Sequence, residues 1–188
     1  MEITVCRAAD VPLLDRCIGS MGATSFHARR FDRQQRGMST YLLAWLDGRP
    51  VGHAELRWDG CDDSVVRAAR PGCPEINALT VWPETLRSRG IGSALVRAAE
   101  ELARQQGRTA VGLGVADDNP RAAALYARLG YLPLAAYVGR WSYEDRDGLT
   151  HECAEDLTFL VKELVRASLV QRTKAAVQRT PAPPRGTQ

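Results

Sequence analysis

Long apolar runs are missing from this sequence. No stretch approaches the ~20 consecutive apolar residues that a membrane-spanning helix needs, and the first residues do not have the pattern of a secretory signal. The expectation is a cytoplasmic protein with no membrane contact. Cysteine is sparse and irregular: five residues, an odd number with no repeating spacing, argue against a disulfide scaffold. Cys61 and Cys73 are read as separate reduced thiols. The three histidines are scattered and no Cys/His cluster has zinc spacing, so no metal site is expected. A phosphate-binding G-x-x-x-x-G-K-[ST] loop is absent. The dinucleotide pattern G-x-G-x-x-G fails because Leu95 stands where its third glycine belongs. Lysine is nearly missing too, with two among 25 basic residues.

The formal charge of +3 hides an uneven distribution. Five basic residues and no acidic one follow Val165, which leaves 20 basic against 22 acidic residues, or −2, for the body. A slightly acidic body with a basic tail does not have the electrostatic footprint of a nucleic-acid-binding domain. The 188 residues suit one domain, placed at 1–165, with a basic, disordered tail over 166–188 rich in Pro, Thr, Gln and Arg.

What the sequence does contain is a strand, a loop and a helix that together favour an anion. Glu75 to Val81 is an apolar strand, broken at Pro83. Arg87-Ser88-Arg89-Gly90-Ile91-Gly92 follows, then a helix with an apolar stripe at Ile91, Leu95, Ala98 and Leu102, ending at Gly107. The first N–H groups of a helix lack internal partners, and its dipole favours negative charge. Gly90 and Gly92 let the backbone approach such a group. Elsewhere, Ile3–Val5 is a strand, Asp10 and Pro12 open a short helix, and Ser25–Arg36 is a polar helix. Tyr41–Leu46 and Val51–Trp58 are strands joined by a hairpin turn across Asp47-Gly48-Arg49-Pro50. Ala110–Val115 is a strand whose Gly112 and Gly114 leave one face bare. Asn119 and Pro120 open a helix that Gly130 closes. Tyr131–Tyr143 and Leu157–Leu164 are late strands separated by an acidic connection, Glu144 to Asp156. Residues 59–74 show no readable periodicity.

The run Arg87-x-x-Gly90-x-Gly92 after a valine-ended strand resembles the acyl-coenzyme A loop of the GNAT superfamily of N-acetyltransferases. Asn119, Leu125-Tyr126 and Leu129-Gly130-Tyr131 are similar to that family's second cofactor-contacting segment, and Ile3 to Asp10 to its first strand and turn. One departure is visible: Glu84-Thr85-Leu86 puts three residues between Pro83 and Arg87 where the common pattern has two. The resemblance implies a single mixed α/β domain. Its mostly antiparallel sheet of six or seven strands would include two splayed parallel strands, flanked by about four helices. It also implies acetyl-CoA as cosubstrate. Arg87, Ser88, Arg89, Gly90, Ile91, Gly92 and Ser93 would meet the pyrophosphate. Leu79, Thr80 and Val81 would pair with the pantetheine arm, and Asn119 and Tyr126 would lie near it.

Moving an acetyl group from a thioester to an amine requires a free amine, a donor for the carbonyl oxygen as it gains charge, and a donor for the departing sulfur. The resemblance points to backbone N–H near Val81 for the oxygen and to Tyr126 for the sulfur. Glu75, Glu55 and His53 are the candidates for taking the amine's proton. Burial of a carboxyl near an apolar wedge would raise its pKa toward the working range of a base. Asn77 shares the face of Glu75 and would orient substrate. Glu144 and Asp145, at the head of the acidic connection, would attract a small cationic amine such as an aminoglycoside or polyamine. A protein or peptide amine, and a non-catalytic coenzyme A sensor, are the alternatives; a homodimer is compatible with the family.

Overall fold

The computed structural model describes residues 1–20 and 22–164; the expected tail over 166–188 lies outside the described residues. Seven strands form one sheet in the order β1-β2-β3-β4-β5-β7-β6. They are β1 (Glu2–Val5), β2 (Ser39–Leu46), β3 (Arg49–Arg57), β4 (Glu75–Val81), β5 (Ala110–Ala116), β6 (Leu132–Glu144) and β7 (Thr150–Glu163). Every neighbouring pair is antiparallel except β4 and β5. Those two are parallel and share a single register pair, Glu75 with Gly112, after which they part. The sheet is therefore mixed and mostly antiparallel with one splayed parallel pair, as expected.

Local chemistry accounts for the strand ends. Asp47 and Gly48 both take positive φ, 49° and 73°, the combination that joins twisted antiparallel strands in two residues. The helix α4 (Ile91–Gln105) crosses one face of the sheet. Its buried residues Ile91, Leu95, Val96, Ala99 and Ala103 share a core with Leu42, Leu56, Ile76, Val111 and Leu113. The stripe lies slightly to one side of the one expected: Ala98 and Leu102 are only partly buried, whereas Ala99 and Ala103 are fully so. Burying a side chain such as Leu95 contributes ~1.5–3 kcal/mol. The helix α5 (Pro120–Arg128) joins the same core through Leu125 and Tyr126. Glu100, buried on α4, is fully compensated. Lys162 Nζ lies 2.8 Å from both its oxygens, and the Tyr131 hydroxyl donates to it at 3.1 Å.

The opposite face is covered by α1 (Val11–Cys17), α2 (Phe26–Gln35) and α3 (Ser64–Ala69). The Ser25 hydroxyl caps α2 by accepting from the Ala28 N–H at 2.9 Å. The described residues hold five α-helices, in keeping with the expected count of about four; α3 lies in the stretch 59–74, where six residues are too few to show a period. Two expectations are corrected here. The acidic connection 144–156 is mostly strand, because β7 begins at Thr150 and pairs with β6 up to Glu144. The bare face of β5 is not vacant: a Cβ at Gly112 would meet the Phe159 ring, and one at Gly114 the Tyr137 hydroxyl. Those glycines make room for an aromatic side chain of the adjacent β7 and one of β6 beyond it. Cys61 and Cys73 are buried free thiols.

Candidate active site

Where β4 and β5 part, a groove of about 660 Å3 opens between β4 and the N-terminal ends of α4 and α5. Leu79, Thr80, Val81, Arg87, Ser88, Gly90, Gly92, Ser93, Asn119 and Tyr126 line it. The inserted Glu84-Thr85-Leu86 forms one 3-10 turn. Gly90 then enters α4 with φ +85°, a conformation costly for a residue with a Cβ. No side chain caps this helix, and its first internal bond is donated by Ala94 to Gly90. The N–H groups of Ile91, Gly92 and Ser93 are thus free of helical partners and lie at the positive end of the dipole. A Cβ at Gly92 would touch Leu125, Leu79 and Val81 at 3.6–3.9 Å, so the glycine keeps the groove floor low.

The predicted loop residues divide in their placement. Ile91 is in the core, so only its backbone is near the groove, and Arg89 is exposed and not part of the lining. Arg87 lines the groove while paired with Glu84 at 2.9 Å. Asn119 spends its side-chain oxygen on the α5 N-terminus, accepting from Ala122 N–H at 3.1 Å. Two further cations line the groove, Arg121 and Arg128, and the Arg121 guanidinium reaches the Ser88 hydroxyl at 3.2 Å. Sequence reasoning missed both. Their signal is spacing: Arg121, Leu125 and Arg128 fall on one helical face.

β4 supplies backbone donors. Trp82 N–H bonds to the Val51 carbonyl at 2.8 Å, so by the alternation of an antiparallel ladder the Val81 N–H points away from β3, toward the gap. Halfway along, the ladder slips: Thr80 pairs with His53 but Asn77 with Glu55. Ala78 and Leu79 therefore oppose the single residue Ala54, a β-bulge, and Ala78 takes φ +50°.

Tyr126 is 7% exposed and its hydroxyl makes no hydrogen bond among the described residues. Burial pushes its pKa up to about 12. The phenol therefore keeps its proton throughout the neutral range. Full transfer to a thiolate, whose acid titrates near ~8.5, would be uphill by several kcal/mol, so its natural role is a hydrogen-bond donor.

The candidate bases sit on the other face of the sheet. Glu75 is 2% exposed, faces Arg57 across the strands, and has one oxygen without a hydrogen-bond partner. Burial raises its pKa above the ordinary carboxylate value, while Arg57 and Asn77 pull it down. Glu55 is engaged: Arg33 Nε donates to it at 3.1 Å and Arg30 Nε lies 3.7 Å away. His53 is 1% exposed, and neither ring nitrogen has a partner. Burial first, then the Arg30 and His27 charges, holds its pKa well below the ordinary histidine value. Asn77 is half-buried beside Glu75.

The hairpin of β6 and β7 borders this face. Asp145 does not present a free carboxylate: it accepts from the Asp147 and Leu149 N–H groups and meets His151 Nε2 at 2.6 Å, closing the turn. The His151 hydrogen bond is the largest influence holding its pKa below the usual range. The Glu144 side chain is exposed, and its carbonyl accepts from Ala23 N–H at 2.9 Å, which ties the loop between α1 and α2 to the hairpin. The His151 and Tyr143 rings stack at 4.9 Å on the inner side of the hairpin.

A model of the acetyltransferase (GNAT) family matches residues 13–131. An uncharacterized N-acetyltransferase of Methanocaldococcus jannaschii is 33% identical over 98 residues, which span 52% of this chain and 41% of that relative. Among solved structures, the ribosomal-protein-S18-alanine N-acetyltransferase from Escherichia coli superposes with a TM-score of 0.60 at 19% identity, over 88% of this chain and 95% of the other. A putative acetyltransferase from Salmonella typhimurium, solved with its cofactor acetyl-CoA, gives 0.60 at 19% identity, over 88% and 94%. At such identities these structures speak for the fold.

Proposed function

We propose that this chain, which belongs to the acetyltransferase (GNAT) family, transfers the acetyl group of acetyl-CoA to a primary amine by direct attack within a ternary complex. One observation carries the reading: two parallel strands part after a single register pair, and the gap ends at a glycine-opened helix N-terminus with unpartnered N–H groups. The unpartnered amides of Ile91, Gly92 and Ser93 fit a diphosphate, with Arg87, Arg121 and Arg128 adding charge around it. The outer N–H and C=O groups of β4 at Leu79–Val81 fit the amides of an extended arm, in the manner of an added strand. Bound there, acetyl-CoA supplies the activated acyl group and the thiolate that leaves.

The chain's own groups meet the three requirements of the chemistry. N–H groups of β4 facing the gap stabilise the carbonyl oxygen as it gains charge, an effect typically worth ~3 kcal/mol per donor. Tyr126 donates a hydrogen bond to the departing sulfur. Glu75 takes the proton of the amine, directly or through one water, and its raised pKa brings it nearer the working range of a base. Glu55, already neutralised by Arg33 and Arg30, is the weaker candidate.

The acceptor proposed is a small cationic amine. The buried Glu75 carboxylate, with one oxygen unpartnered, suits an ammonium group. The tie between Ala23 and Glu144 closes one side of the acceptor face, which disfavours a long polypeptide lying across it. Purified protein incubated with acetyl-CoA and a panel of spermidine, an aminoglycoside, free lysine and peptides with open N-termini tests the reading. Thiol release with the small polyamines supports it. Release only with peptides moves the acceptor class, and coenzyme binding without release with any amine indicates a sensor.

A further inference from the structure

His53 is a buried polar side chain with no partner, and the catalytic reading above has no use for it. Its ring is enclosed by Phe26, His27 and Tyr41, with centroids 5.9, 5.1 and 5.6 Å away. Its neighbours are settled. His27 Nε2 faces the Ile18 carbonyl at 2.6 Å, which can only accept, so that nitrogen carries the proton and Nδ1 accepts from the Tyr41 hydroxyl. Two groups of the cluster are left over among the described residues: Arg30 Nη1, whose guanidinium lies over the Phe26 ring and still meets Glu55 through Nε at 3.7 Å, and His53, neither of whose ring nitrogens has any partner. A buried polar group left unpaired costs ~1–3 kcal/mol, and such exceptions in folded proteins call for an explanation.

Its place in the ladder suggests one. His53 is the last β3 residue in register with β4 before the slip, opposite Thr80. On the other side of the slip stands Ala78, a non-glycine residue with φ +50°, a strained conformation. The Ala78 carbonyl is the backbone group that acts on the His53 ring, although it lies outside hydrogen-bond geometry. In a trans peptide the C=O and the following N–H point in opposite directions. A carbonyl of Ala78 turned toward His53 therefore turns the Leu79 N–H away from it, toward the gap between β4 and β5.

We infer that His53 is a positioning residue: with acetyl-CoA bound, its ring N–H engages the Ala78 carbonyl, and so fixes the Ala78–Leu79 peptide with the Leu79 N–H aimed at the oxygen of the acyl group. His53 touches neither substrate nor cosubstrate; it acts through one peptide. The inference rests on the acetyl-transfer reading, but its first measurement does not depend on turnover.

Ring-nitrogen NMR of the intact protein, with and without acetyl-CoA, reads the His53 N–H directly. The inference expects a neutral single tautomer whose protonated nitrogen shifts as the bond to Ala78 tightens on coenzyme binding; a ring unmoved by saturating coenzyme overturns it. Kinetics supply the second arm. His53→Phe keeps the packing and removes both nitrogens, whereas His53→Gln keeps a donor. The expectation is a fall in kcat of about 10–100-fold for His53→Phe, the scale of misplacing a catalytic donor. KM for acetyl-CoA should change less than about twofold, with partial recovery in His53→Gln. Equal kcat for wild type and His53→Phe overturns the inference. If His53→Phe does not fold, His53→Gln and the wild-type spectra decide. A wild type inactive toward every amine, yet with the expected ring shift, refutes the acetyl-transfer reading and not the geometry at Ala78.

Discussion

Arg57 Nη1 stands 3.5 Å from Glu75 Oε2, and that oxygen has no hydrogen-bond partner. The two residues are directly opposed in the β3–β4 ladder, so the contact is fixed by strand register. Arg57 divides its guanidinium among three carboxylates: Asp62 at 2.7 Å, Glu75 at 3.5 Å and Asp59 at 3.6 Å. Glu75 is the most buried of these, and this is its one ion pair among the described residues, whereas Asp59 also meets Arg33 at 3.5 Å and Asp62 also meets Arg67 at 3.1 Å. The balance favours its protonated form more than in the unfolded chain.

That imbalance has a sign. A carboxyl whose folded pKa is raised stabilises the fold at pH values below its unfolded pKa, and the contribution is lost as pH rises through the folded pKa. At neutral pH an ionised Glu75 therefore weighs against folding. Glu75→Gln should raise Tm at pH 7 more than at pH 4, since Arg57 keeps Asp62 and Asp59 as partners. The same variant should lose about 100-fold or more of kcat if Glu75 is the base. Thermal melts at the two pH values and turnover at pH 7 check both halves. Undiminished turnover would remove Glu75 from the mechanism.

Tyr126→Phe isolates the sulfur donor. The hydroxyl is bonded to nothing among the described residues, so its removal leaves no stranded partner and stability should hold within about 0.5 kcal/mol. The expected loss is about 10-fold in kcat, with KM for acetyl-CoA nearly constant, because the donor acts mainly on the charge of the leaving group. The pKa of about 12 adds a second expectation: no limb of the pH–rate profile between pH 7 and about 10 should belong to this residue.

Glu100 offers the opposite behaviour, stability without chemistry. Lys162 contacts both its oxygens at 2.8 Å, Tyr131 donates at 3.1 Å, and Arg104 adds a contact at 3.4 Å. Glu100→Ala strands the lysine and the phenol beneath α4, and removing one partner of a buried ion pair costs ~3–5 kcal/mol. Chemical denaturation should show that loss, while kcat at a temperature where the variant remains folded should stay close to wild type.

How far the residues themselves foretold this structure depends on the range of the signal. The strand–loop–helix from Glu75 to Gln105 was legible because each part is local: an apolar run, Pro83, two glycines, then a helical stripe. The cap at Asn119 was legible for the same reason. What escaped was decided across the sheet. The length of the β6–β7 hairpin depends on register between Trp141 and Cys153 or Tyr143 and His151, which no single segment announces. Asp145 reads as a free charge until the turn that uses its carboxylate is closed. The engagement of Glu55 by Arg33 and Arg30 brings together residues more than twenty positions apart in the chain.

The glycines separate the two kinds of signal, and substitution can tell them apart. Gly90 has φ +85° at the mouth of the groove, and nothing stands within 4 Å of where its Cβ would go. Gly90→Ala is resisted by backbone conformation alone, a cost of roughly 1–2 kcal/mol, and relieving that strain means moving the amides of the first helical turn. Its main expression should be a raised KM for acetyl-CoA. Gly114 has no such conformation, yet a Cβ there would press on the Tyr137 hydroxyl. Gly114→Ala should cost ~1–3 kcal/mol by overpacking and leave KM for acetyl-CoA unchanged, because the space it fills belongs to Tyr137 rather than to the coenzyme. Paired denaturation curves and acetyl-CoA titrations of the two variants read this difference. A raised KM in Gly114→Ala with stability intact would place the coenzyme arm against β5, where the structure places an aromatic ring.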